Sequence, residues 1–148
     1  MTRYLLDTNI LVRASDEQAR DRPLAINAVA HLLTQSHDCV LSPQVLVEFW
    51  AVATRPAEVN GLGWSVDQCQ QEVEQFLGQF PLIEDKPESF RLWLTLVQRH
   101  KVVGKRVHDA RLAATMLAND VSHIITFNLD DFASITEITP VHPQTISA

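Results

Sequence analysis

The sequence predicts an α/β protein with a parallel sheet covered by helices on both faces. Three observations carry that prediction. Short apolar runs alternate with longer segments of helical period, the pattern of parallel strands joined by helical crossovers. The 148 residues are 46% apolar and contain no internal repeat or linker, so they fit one domain over residues 1–148 with its own core. The first apolar run stops at an acid, Asp7, and the carboxyl ends of strands are where such sheets carry their sites.

The elements follow in order. "RYLL", residues 3–6, is a short buried strand, and "DTN" after it offers three good helix-capping side chains. Residues 23–36 set Leu24, Ala28, Ala30, Leu32 and Leu33 on a helical period. "CVLS", residues 39–42, is a second strand. Pro43 suits the first turn of a helix capped by Ser42 and running to Thr54. "RPAEVNGLG", residues 55–63, is a loop by its Pro and two Gly. Residues 64–79 form a helix capped by Ser65, with Val66, Cys69, Val73, Phe76 and Leu77 on one face. "FPLIE", from Phe80, is a short strand. Residues 87–100 form a helix with Phe90, Trp93, Leu94 and Val97 inward. Residues 107–120 form a helix rich in good helix formers. "HIITF", from His123, is a strand, and residues 135–141 are a last, peripheral one, given Pro140 and Pro143. Trp50, Trp64 and Trp93 all fall on apolar helix faces, for core or dimer packing.

Composition excludes several classes. No apolar stretch approaches the roughly 20 residues of a membrane span. The N-terminal "MTRYLLDTN" lacks a signal-peptide pattern, because Asp7 cuts its apolar run short. The expectation is a cytoplasmic protein. Cys39 and Cys69 lack metal-type spacing and read as buried thiols of a reducing compartment.

The acids repay closer reading. Asp7 follows the first strand directly, as a helix cap or as a site residue. Glu48 is the only charged residue between Leu41 and Thr54, on a helix face shared with Val45, Phe49 and Val52. A lone carboxylate there is costly unless something compensates it. Asp109 sits in the first turn of its helix, where the dipole favours an acid by about 0.3–1 kcal/mol. Yet it shares a flank with Leu112, Ala113 and Met116. Asn128, Asp130 and Asp131 follow a second strand end; singly, each fits a polar turn. Together these groups can converge at one sheet edge. Two carboxylates about 4 Å apart repel by roughly 4 kcal/mol at an effective dielectric near 20, so the cluster needs counter-charge or a proton. Hard oxygen donors without a Cys or His set point to Mg²⁺ or Mn²⁺.

The net charge of −6 opposes a nucleic-acid partner, but its distribution does not. Five of the twelve Lys and Arg lie between Arg99 and Arg111, with His100 and His108 among them. Such a segment in an acidic protein is either a solvated loop or a polyanion site.

Four pieces, "LLDTNIL", Glu48 after the second strand, "HDARLAA" and "ITFNLDDF", occur in an order that resembles the PIN-domain nucleases over nearly the whole chain. Within that family the sequence is most similar to toxins of the VapC type. The resemblance implies a three-layer α/β/α fold, Mg²⁺- or Mn²⁺-dependent RNA cleavage, a homodimer and a small antitoxin that blocks the site. Asp7, Glu48 and Asp109 match the three core acids. The fourth position falls in "TFNLDDF", where Asn128 stands at a place the family often fills with Asp, and Asp131 offers the charge. On this reading Asp7 and Asp109 ligate the ion, with Glu48 and the Asn128–Asp131 turn completing or orienting its shell. Thr8, Asn9 and Thr126 supply hydrogen bonds behind them. Lys101, Lys105 and Arg106 grip the RNA backbone, with Gly104 easing its approach. Three alternatives stand beside it. An aspartyl phosphotransferase would use Asp7 as nucleophile, but needs an acid where Asn9 stands. The others are a catalytically silent PIN-like module that binds RNA or a partner, and an interaction protein whose acids are only caps and turns.

Overall fold

Four parallel strands flanked by helices make up the computed structural model, which describes residues 1–146. Strand β1 (Arg3–Leu6) lies between β2 (Asp38–Val40) and β3 (His123–Ile125), and β4 (Thr139–Val141) forms the far edge. Leu5 is level with Val40 on one side and Ile124 on the other. These strands read as continuous apolar runs because both faces are covered; Leu5, Leu6, Val40, Ile124 and Ile125 are all at most 1% exposed. The order β2-β1-β3-β4 reverses direction at β1: the chain leaves β1 to one side and returns to β3 on the other. Such a reversal opens a crevice at the carboxyl ends of the strands. Asp7 ends β1 and Thr126 ends β3, and the Asp7 N–H still donates to the Ile125 carbonyl at 3.1 Å.

Seven helices complete the described residues: α1 (Thr8–Ser15), α2 (Arg22–Thr34), α3 (Pro43–Thr54), α4 (Val66–Gln79), α5 (Ser89–Arg99), α6 (Arg106–Ala118) and α7 (Pro143–Ile146). Ser42 caps α3 as its sequence predicts, accepting from the Val45 N–H at 3.3 Å, and Ser65 caps α4 through Gln68 at 3.1 Å. Val45, Phe49 and Ala53 recur at four-residue intervals on α3 and are fully buried. The Phe49 ring meets Trp64 and Phe76 edge-on, at 6.0 and 5.3 Å, which ties α3 to α4. On α6, Ala110, Ala113 and Ala114 are fully buried, and their small side chains let this helix pack closely. Burying each large aliphatic side chain of this core stabilises the fold by roughly 1.5–3 kcal/mol. Cys39 and Cys69 are buried free thiols, and burial pushes Cys39 up to about 12. None of the described helices is long and apolar enough to cross a membrane.

Several expectations need correction. Helix α1 was not expected beyond its capping triplet. Its "ILV" run of apolar, partly β-branched residues carries no helical signal of its own. "FPLIE" is no strand but a single parallel bridge, Leu82 to Leu41. Pro81 has no N–H to donate, and Leu82 is 45% exposed at the sheet edge. The strand expected over residues 135–141 shrinks to β4; Ile135 and Ile138 are buried in the loop before it. Phe90 and Leu94 point outward on α5, and Leu96 is its buried residue. Val66 and Leu77 are likewise exposed on α4, which is anchored by Cys69 and Phe76.

Candidate active site

Asp7 is held by three groups at once. Its Oδ1 accepts the Thr8 N–H at 2.8 Å, which caps α1, and its Oδ2 accepts the Thr126 hydroxyl at 2.7 Å and the Asn9 amide at 3.3 Å. Thr126, fully buried, is the hub behind it. Its Oγ1 also accepts from Asn9 Nδ2 at 3.1 Å and from the Asn128 N–H at 3.0 Å. Both lone pairs are therefore taken, and the single hydroxyl proton is committed to Asp7. The other end of Asn9, Oδ1, accepts the Phe127 N–H at 3.1 Å, which fixes the orientation of the amide. Thr8 reaches the Val45 carbonyl at 3.4 Å and joins α1 to α3.

Glu48 approaches from α3. Gln44, one turn earlier and 9% exposed, donates to Glu48 Oε1 at 3.3 Å and to the His108 carbonyl at 2.9 Å. Its own Oε1 accepts from Arg111 at 3.0 Å. One amide thus links α3 to the first turn of α6, which carries Asp109. Across the crevice, Asn128 opens a 3₁₀ turn, Leu129–Asp131, and its carbonyl accepts the Asp131 N–H at 3.2 Å. Arg106 clasps this turn through the Asp130 carbonyl at 2.7 Å and the Asp131 carboxylate at 3.5 Å.

Asp7, Thr8, Asn9, Glu48, Asp109, Asn128 and Asp131 line one cavity of about 340 Å³, together with Val12, Arg13, Val52, Asn60 and Leu112. Burial pushes the Asp7 carboxyl from its ordinary 3.8 up to about 6; Thr126 and Thr8 pull it back, while Glu48 and Asp131 push it further. Asp109 also rises to about 6, first by burial, then by Asp131 and Asp7, with Arg106 opposing. The acids therefore feel one another across the cavity. They do not meet at a point: among the described residues, no three His, Cys, Asp or Glu side chains stand ready to hold a metal ion.

The cations are distributed differently from their sequence. Arg99 and His100 both engage Glu137, and Arg111 reaches Asp85 at 3.6 Å. Lys101 takes a left-handed φ of 55° after α5, and Lys105 precedes α6; both are exposed, and neither lines the acid cavity. Gln44 and Arg13 are support and cavity residues that nothing in the sequence singles out, and Asn60 is a further cavity residue. Asn60 has a weak signal, the "NG" of its loop. It takes a φ of 65°, which Asn tolerates. Gly61 follows because a Cβ there would lie 1.8 Å from the Arg55 carbonyl oxygen.

A profile of the PIN domain matches residues 4–138. The chain belongs to the PIN-domain family. PIN domains are typically nucleases and generally bind divalent metals. No curated protein matches the sequence. Several solved structures share the fold at low identity. The structure of VapBC2 from Rickettsia felis, bound to a DNA fragment from its promoter, is similar with a TM-score of 0.73 and 19% identity, over 95% of this chain and 98% of that one. VapBC-1 from nontypeable Haemophilus influenzae gives 0.68 and 18%, over 97% and 99%. A toxin–antitoxin complex from Klebsiella pneumoniae gives 0.64 and 24%, over 95% and 97%.

Proposed function

We propose that this PIN domain is a metal-dependent endoribonuclease and the toxin of a toxin–antitoxin pair, acting in the cytoplasm. The observation that carries the reading is the gathering of Asp7, Glu48, Asp109 and Asp131, with Asn128, around one cavity at the strand-order reversal. The donor set fits Mg²⁺ or Mn²⁺. It is all hard oxygen, and burial, reinforced by the neighbouring acids, holds two of its carboxyls up to about 6. Asp7, Asp109 and the amide oxygen of Asn128 would hold the ion. When bound, it supplies an activated water and neutralises charge on the phosphoryl oxygens. The chain's own part is positioning. Thr126, Asn9 and Thr8 aim Asp7; Gln44 aims Glu48; Arg106 holds Asp131 at the rim. Glu48 and Asp131 orient the attacking water. Lys101, Lys105 and Arg106 draw the RNA backbone toward α6.

Apolar surface supports both protein partners. Val47 on α3 and Phe90 on α5 are 69% and 63% exposed and suit a homodimer contact. A groove of about 440 Å³ between α1, α2 and α4, lined by Ile10, Ile26, Val29, Leu33 and Phe76, suits an antitoxin segment.

The test is cleavage of a mixed RNA pool with Mn²⁺ by wild type, Asp7→Asn and Asp109→Asn, with circular dichroism as the fold control. Both variants should stay folded and lose cleavage; full activity in either removes it from the site. A second reading, a catalytically silent PIN-like binder, draws on the absence of three convergent carboxylates. It requires the wild type to bind RNA or a partner without cutting and to take up no metal by calorimetry.

A further inference from the structure

The candidate site gathers carboxylates, yet its proposed substrate is itself an anion. Among the described residues lining the cavity, Arg13 is the one Lys or Arg. It stands six residues beyond Asp7 on α1 and has two side-chain contacts. Asp21 lies 3.3 Å from its Nε, and its guanidinium carbon sits 4.9 Å above the centre of the Phe127 ring. Phe127 is itself fixed, by its N–H bond to Asn9 and by the His142 ring set edge-on at 5.3 Å. No protein acceptor among the described residues takes a hydrogen bond from the Nη groups of Arg13. The arginines of the basic segment differ: Arg106 is engaged with the Asp130–Asp131 turn, Arg111 with Gln44 and Asp85, and Arg99 with Glu137.

We propose that Arg13 is the phosphate clamp of this site, taking non-bridging oxygens of the RNA phosphodiester on its paired N–H groups, with Phe127 as the platform that holds the guanidinium in place. The inference rests on the ribonuclease reading and deepens it. A planar guanidinium matches two phosphate oxygens at once, and it lies on an aromatic face with less loss of hydration than an ammonium. A phosphodiester entering among four acids meets like charge that falls off only slowly in a partly buried crevice. A cation on the cavity wall answers that repulsion where the loop lysines, outside it, do not. The rival role for Arg13 is a strut to Asp21, and a part-exposed ion pair stabilises little by itself.

The test uses the full chain and a short mixed-sequence RNA, with affinity measured by anisotropy in EDTA and cleavage followed with Mn²⁺. Arg13→Ala should weaken binding at least about tenfold and lower kcat about a hundredfold. Arg13→Lys keeps the charge and the partner Asp21 but not the fork; it should recover part of the affinity and little of the rate. Asp21→Asn breaks only the strut and should cut RNA at close to the wild-type rate. If Arg13→Ala melts early, Arg13→Lys carries the test and must still lose rate. Wild-type rates in Arg13→Lys, or an Asp21→Asn as impaired as Arg13→Ala, overturn the clamp alone. Wild-type protein that neither binds nor cuts RNA overturns the ribonuclease reading and the clamp with it.

Discussion

Without metal, this protein should lose stability as the pH rises toward neutrality, with Asp7 and Asp109 both contributing; the Asp7 share can be isolated. The Asp7 carboxyl titrates at 3.8 when exposed and at about 6 in the fold. Between those values the native state binds more protons than the unfolded chain, so each step up in pH favours unfolding. The stabilising effect of the protonated group is full below 3.8 and lost through about 6. From about pH 5 to about pH 7.5, linkage puts the loss from Asp7 at about 1–2 kcal/mol. For a domain of this size that is a fall of about 3–6 °C in Tm. Two other groups pull the opposite way. His123 is held below its ordinary value by burial and by His37, so it favours the fold as pH rises toward 6.5. Glu137, held low by His100 and Arg99 against its own burial, acts below the chosen window. The decisive measurement is therefore a difference. Melting curves of wild type and Asp7→Asn in EDTA, across that pH range, cancel His123 and Glu137. The variant should gain on the wild type as pH rises, and Asp109, freed of one repelling neighbour, adds to the gain. Parallel profiles would refute the argument, for they would mean that the Asp7 charge is already compensated in the metal-free fold.

Other outcomes follow from the same geometry. Saturating Mg²⁺ or Mn²⁺ should raise the wild-type Tm and leave Asp7→Asn/Asp109→Asn unmoved; a hundredfold excess over Kd corresponds to about 2.7 kcal/mol. Equal shifts in both proteins, measured by scanning calorimetry, would place any bound ion elsewhere. Replacing Lys105 and Arg106 by Ala should flatten the dependence of log K on log salt for RNA by roughly 1.4 if both contact phosphates. An unchanged slope, with Ca²⁺ in place of Mn²⁺, would leave that segment a solvated face or a partner contact.

The sheet was legible because its strands are short apolar runs whose carboxyl ends carry polar residues, and that pattern survives without any knowledge of packing. Helix α5 was not. Phe90, Trp93, Leu94 and Leu96 are apolar on more than one side, so the pattern allows several rotations about the axis, and only packing against α6 selects Leu96. The acids could be found one by one, since Asp7 interrupts an apolar run and Glu48 stands alone on an apolar helix. Two of the residues beside them could not. Gln44 and Arg13 look like ordinary polar positions on amphipathic helices, and their partners lie far away in sequence, 64 residues in the case of Gln44 and His108. The basic segment is a different case. Density along the chain says nothing about engagement, and Arg99, Arg106 and Arg111 turn out to be held by Glu137, Asp131 and Asp85.

Asp7 ends a strand, caps a helix and faces the crevice, and this triple duty narrows what can replace it. A substitute must still accept from the Thr8 N–H, which Asn can do and an aliphatic side chain cannot. In the genetic code Asp and Asn differ by a single transition in the first codon position. One base change can therefore silence the proposed chemistry while leaving the cap, the sheet and the apolar surfaces in place. If the proposed activity holds, lineages of such a chain have a short mutational route from enzyme to inert binder, and the reverse route is as short. Surveys of its close relatives should count Asn at position 7 as a change of trade rather than as a broken fold.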